Sequence, residues 1–175
     1  MNLIQSVRPR LVASYAAGAF ISVIFIDSLR FKFTGHPTPQ HIFTTLRDWS
    51  GIELFYPAGP WIIGLGELLA ALLLMALPLT LRFIGQARLA PLSQVLGGVL
   101  ALAIMTGAIS FHLFTPLGIA TPTLWENGRI VEQGNVLFIA ACITWVCGAL
   151  IVVLRGREAV AAAGPLMAPH PARPE

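Results

Sequence analysis

Charge is scarce in this chain: 11% of its 175 residues are Asp, Glu, Lys or Arg, against about 25% in a soluble domain. That scarcity excludes an ordinary water-soluble fold. Cysteine is nearly absent too, with Cys142 and Cys147 in one apolar run. On a helix they sit roughly 140° apart, so they cannot bridge each other while it is intact. No C-x-x-C or zinc-ligand spacing occurs, no two histidines fall four apart, and neither G-x-G-x-x-G nor a P-loop is present. The chain thus carries no metal, haem or nucleotide motif. Its apolar runs also lack the alternation of period two that a membrane barrel requires.

What it has instead is apolar length. Hydrophobic residues make up 56% and the mean hydropathy is +0.77. Four runs, Leu11 to Leu29, Trp61 to Leu81, Leu89 to Phe114 and Val136 to Leu154, approach the ~20 residues needed to cross a bilayer. Each is expected to be a helix, because an unpaired strand leaves its backbone groups unsatisfied in hydrocarbon. The fold class is therefore all-α, a polytopic membrane four-helix bundle. Residues 1–10 form a short N-terminus, 11–154 the transmembrane domain and 155–175 an Ala- and Pro-rich tail expected to be disordered.

The basic residues set an orientation. Arg8, Arg10, Arg82, Arg88, Arg155, Arg157 and Arg173 fall at the two ends and in the middle connection, against Arg30, Lys32, Arg47 and Arg129 in the other two connections. This asymmetry predicts a multi-pass protein with both termini cytoplasmic. The net charge of +3 suits anionic headgroups and not nucleic acid. The first run is followed by DSLRFKF, which is no signal-peptidase site, and is read as a retained helix.

Two connections carry structure of their own. In the first, Thr38 and Pro39 signal a helix start and Gly51 a stop, while Ile42, Phe43, Leu46 and Trp49 recur at helical spacing. They predict a short amphipathic interfacial helix in the first outer connection. In the third, Asn127 and Gly128 between TLWE and RIVE predict a tight hairpin.

Glu67 is the most expensive residue in the chain. It lies in the second run, where an acidic group costs about 2.5–3.5 kcal/mol unless partnered. With the first and third helices running outward, Asp27, Arg30, Lys32, His36, Glu67 and His112 are expected near one depth. Glu67 shares a helical face with Gly64 and Ala71, and His112 with Ala108, Ala101 and Gly98, small-residue stripes that direct both toward other helices. Asp27 lies off the corresponding stripe of the first helix, placed to pair with Arg30 three residues on. The candidate polar pocket is thus Glu67, His112, Lys32, Arg30 and Asp27, with no catalytic residue assigned.

The segments FIDSLRFKFTG, GLGELLAALLL and MTGAISFHLFTPLG resemble the DoxX-like family of small bacterial four-helix membrane proteins. Lys32, Gly35, Gly64 and Glu67 match its pattern, and the resemblance spans roughly Leu11 to Leu154. Asp27 and Ser28 depart from it, standing where many relatives carry a small residue and glycine. The resemblance implies an accessory or quinone-associated subunit of a redox or envelope-stress system in a bacterial inner (plasma) membrane; the cofactor is left unassigned, with quinone the one class considered. The expected partners are the lipid bilayer, a membrane redox protein and further copies of the chain. Two alternatives stand beside it: a small-molecule or proton-coupled transporter that titrates Glu67, and an enzyme acting on a lipid-soluble substrate by Glu67 and His112 acid–base chemistry.

Overall fold

A computed structural model describes Leu3–Met167, with side chains placed over 9–164. Its four long helices are each apolar enough to cross a membrane: Pro9–Phe33, Ala58–Phe83, Ala87–Phe114 and Val136–Gly164. The first span belongs to α1 (Leu3–Phe33), the third to α5 (Ala90–Phe114) and the fourth to α6 (Val136–Met167). An even number of crossings leaves both described ends of the chain at one end of the bundle, here called the tail end.

The second span is not a uniform helix. It consists of α3 (Ala58–Ala71), a π turn (Leu72–Ala76) and α4 (Leu77–Phe83). Pro78 explains the interruption: proline has no N–H to donate, and its ring crowds the carbonyl four residues back, at Leu74. The wider π turn accommodates that lost bond without ending the helix.

One core joins the four spans. Ile21 and Phe25 of α1, Leu74 of the π turn, Met105 of α5 and Ile151 of α6 belong to a single buried cluster. Apolar side chains such as Val23, Leu65 and Val153 point outward and stay exposed, as expected where hydrocarbon replaces water. Between α5 and α6 the backbones themselves approach. A Cβ added at Gly98 would lie 3.3 Å from the Gly148 carbonyl oxygen, and one at Gly148 would lie 3.2 Å from that of Gly98. Small residues on both sides permit this close crossing.

The end opposite the termini, the capped end, is covered by two elements. Helix α2 (Pro37–Ser50) begins at His36, whose Nδ1 accepts from the Thr38 N–H at 3.2 Å, and stops at Gly51 in the left-handed conformation. It buries Phe43 and Leu46. Trp49, expected on the same face, is instead 53% exposed. Strands β1 (Thr121–Glu126) and β2 (Arg129–Gly134) pair antiparallel around Asn127 and Gly128, both at positive φ, the conformation a two-residue hairpin demands. Thr38 ties the two elements together: its hydroxyl donates to the Pro122 carbonyl at 3.1 Å and accepts from Trp125 Nε1 at 2.9 Å.

The tail differs from the sequence-based expectation. Helix α6 runs on to Met167, past the boundary at Leu154, because the alanines of AVAAA are strong helix formers. The remaining residues of the 155–175 tail lie outside the described residues.

Candidate functional site

Glu67 is 3% exposed, and two residues of α1 reach it. Lys32 Nζ lies 2.8 Å from Oε2 and 3.0 Å from Oε1, and Ser28 Oγ lies 2.5 Å from Oε2. Lys32 also donates to Ser28 Oγ at 3.1 Å, so the three side chains close a ring of contacts. The geometry follows from α1 itself, because Ser28 and Lys32 are four residues apart on one face. Ser28 Oγ is also 2.8 Å from the Phe25 carbonyl; with a single hydroxyl proton it donates to one of these two acceptors at a time.

Gly64 lets α1 come close enough. A Cβ there would lie 2.5 Å from Cε1 of Phe33, whose ring stacks on Trp61 with centroids 4.7 Å apart. The end of α1 therefore packs directly on α3 one turn from Glu67. Lys32 is the sole lysine in the chain, and its side chain is 14% exposed in the salt bridge.

His112 closes α5 on the same cavity and is 7% exposed. After α5 the chain folds back at Gly118, at φ 66, a left-handed conformation that glycine adopts readily. This turn brings the Gly118 carbonyl oxygen 2.6 Å from His112 Nδ1. A carbonyl can only accept, so Nδ1 carries a proton, and Nε2 is the nitrogen left to accept whenever the ring is uncharged.

These groups line a cavity of about 260 Å³. Ser28, Lys32, Glu67 and His112 supply its polar side chains, and the rest of the wall is apolar, with Phe25, Ile104 and Phe111 prominent. A second cavity of about 460 Å³ shares Ile24, Ser28, Lys32 and Phe43 with it, and extends beneath α2 and β1 to Asp27, His36 and Thr38. Together they form a mostly apolar chamber whose few polar side chains come from α1, the start of α2, α3, α5 and β1, of the kind that receives a small amphiphile.

The expected set of ionisable groups divides here. Glu67, Lys32 and His112 meet at the inner cavity. Asp27 and Arg30 instead pair with each other at 3.0 Å, with side chains 54% and 68% exposed respectively. Asp27 reaches only the outer cavity and Arg30 borders neither, lying over the Phe31 ring. Arg30 therefore leaves the pocket, since its helical phase turns it away from α3. Ser28 enters it unannounced; its spacing of four from Lys32 is the sequence signal that finds it. Among the described residues four orphaned polar groups, the Tyr15 hydroxyl, Gln94 Nε2, Thr144 Oγ1 and Arg155 Nε, are buried at positions that apolar patterning does not single out.

Fold and site together define a multi-pass, four-helix membrane protein with a partnered intramembrane carboxylate beside a cavity. Comparison with protein-family models, curated proteins and solved structures finds no match.

Proposed function

We propose that the chain is an accessory subunit of a membrane redox or envelope-stress system, akin to DoxX-like proteins, and that its chamber takes the headgroup of a quinone-like, lipid-soluble molecule. One observation carries this reading: an apolar cavity whose polar side chains are Ser28, Lys32, Glu67 and His112. A flat ring with oxygens at its edge matches that distribution. Lys32 already donates to both Glu67 oxygens and to Ser28 Oγ, so it donates to a quinone carbonyl by exchanging one of its three contacts, while His112 Nε2 accepts from a quinol hydroxyl when the ring is uncharged. Glu67 holds Lys32 in place and balances its charge.

The basic residues at the chain ends and in the middle connection support cytoplasmic termini, and the resemblance to DoxX-like proteins is the ground for placing the chain in a bacterial plasma membrane. The chamber then lies toward the outer face. The exposed apolar faces of the spans are compatible with lipid, with a redox partner and with a second copy. Purification in mild detergent followed by mass spectrometry of extracted lipids is expected to recover a quinone, and Glu67→Gln to lower both its occupancy and quinone-linked activity in native membranes. Absence of quinone together with unchanged activity in Glu67→Gln overturns the quinone assignment.

A second reading, a proton-coupled carrier, is favoured by the π turn at Leu72–Ala76, since such turns recur at functional sites. It predicts solute flux in proteoliposomes that depends on pH and is lost in Glu67→Ala. Flux indifferent to both counts against it.

A further inference from the structure

A second polar cluster lies at the tail end of the bundle, away from the Glu67 chamber. Arg155 of α6 is 3% exposed. Its Nη1 pairs with Glu158 Oε2 at 2.7 Å, but its Nε is buried with no partner. The side chain borders a cavity of about 510 Å³ together with Arg82, near the end of α4, and Arg88, in the turn before α5. Among the described residues neither Arg82 nor Arg88 has a carboxylate within 4.0 Å. The cavity is thus bordered by three guanidinium groups and one carboxylate.

The start of α5 adds to this field. Leu89 and Pro91 border the same cavity, and the helix terminus there has no side-chain cap. The Leu89 and Ala90 N–H groups are taken by the Gln86 and Ala87 carbonyls and Pro91 has none, so the terminus contributes the positive end of the helix dipole, which favours an anion. Planar guanidiniums match the oxygens of a phosphate in particular.

What sort of phosphate is decided by the neighbouring surface. A groove of about 530 Å³ between α1 and α4 shares Leu11 and Arg82 with the arginine cavity and continues past Tyr15 and Leu79. Its wall is apolar apart from Arg82 and the Tyr15 hydroxyl. Phe83, next to Arg82, is 93% exposed, which suits a membrane–water boundary and not bulk water. A free phosphate ion uses the arginines and leaves the groove empty; a phospholipid uses both.

We propose that the tail end binds an anionic phospholipid, with its phosphodiester against Arg82, Arg88 and Arg155 and one acyl chain along the groove between α1 and α4. Glu158 orients Arg155 and offsets part of the charge, leaving an excess suited to a headgroup without a compensating amine. A zwitterionic headgroup would bring its own cation into an already positive cavity. The site is separate from the chamber at the capped end and does not depend on what that chamber binds.

The test measures thermal stability of the purified full chain in neutral detergent with added phosphatidylglycerol, phosphatidylcholine or inorganic phosphate. Phosphatidylglycerol is expected to raise the melting temperature, and the other two to leave it unchanged. The double variant Arg82→Gln, Arg88→Gln is expected to weaken phosphatidylglycerol binding roughly thirtyfold, from the usual worth of two basic residues near an anionic lipid. Arg157→Gln, on the same stretch of α6 but outside the cavity, is expected to keep full binding. Should the double variant fail to melt cooperatively, Arg88→Gln alone, at an exposed position, gives about a fivefold loss. An equal shift with phosphatidylcholine, or a shift reproduced by phosphate alone, overturns the proposal. So does an unchanged lipid response in the arginine variants, or an equal loss in Arg157→Gln.

Discussion

Glu67 is tolerated within an apolar span because Lys32 and Ser28 reach it from α1. Removing one partner of such a pair strands the other, at a cost of about 3 kcal/mol. Glu67→Ala is therefore expected to lower stability by that order in a detergent melt, and Lys32→Met by a similar amount. The double variant Lys32→Met, Glu67→Leu removes both charges and keeps apolar volume, so it should melt within about 1 kcal/mol of the parent. If the double variant is as unstable as Glu67→Ala, the pair is not the interaction that matters. A folded double variant that loses ligand occupancy separates a binding role from a packing role. Glu67 is legible in the sequence from its cost alone, and His112 from the small residues on its helical face. The choice of Lys32 over Asp27 and Arg30 is less legible, because all three lie within six positions of α1 and about 100° of rotation per residue separates inward from outward.

At the scale of elements, the chamber depends on α2 and the hairpin staying docked. The Trp125 Nε1 bond to Thr38 is one of two that join them. Trp125→Phe keeps the ring and removes the donor, which should weaken docking by about 1 kcal/mol and raise amide hydrogen exchange across β1 and β2. Unchanged exchange would mean that packing alone holds the hairpin. The crossing of α5 and α6 is more sensitive. Gly148→Leu forces a side chain toward the Gly98 carbonyl and is expected to destabilise by about 1–3 kcal/mol, seen as a lower melting temperature. Helix α2, with its start and stop residues, and the hairpin at Asn127–Gly128 are both read from local sequence, because caps and turns are local chemistry. The docking of one on the other is not, since Thr38 and Trp125 are 87 residues apart.

For the whole molecule, the arginine distribution predicts that the hairpin tip and the connection around Gly85 face opposite sides of the membrane. With Cys142 and Cys147 replaced by Ala, Asn127→Cys should react with an impermeant maleimide added to intact spheroplasts. Gly85→Cys should react only after lysis, and the reverse pattern would invert the topology. Four spans, their approximate limits and the all-α class follow from the sequence alone, because crossing hydrocarbon requires about 20 apolar residues whose backbone bonds close within the segment. A run of that kind declares itself without reference to its neighbours. Tertiary structure alone decided that Lys32, Ser28, Glu67 and His112 share a chamber, that Asp27 and Arg30 turn aside to each other, and that Arg155 is buried beside Arg82 and Arg88. Those outcomes depend on the rotation of each helix about its axis and on the close approaches that glycine permits. Several rotations of a helix that is apolar all round bury similar area, so the choice among them comes from packing against the other three.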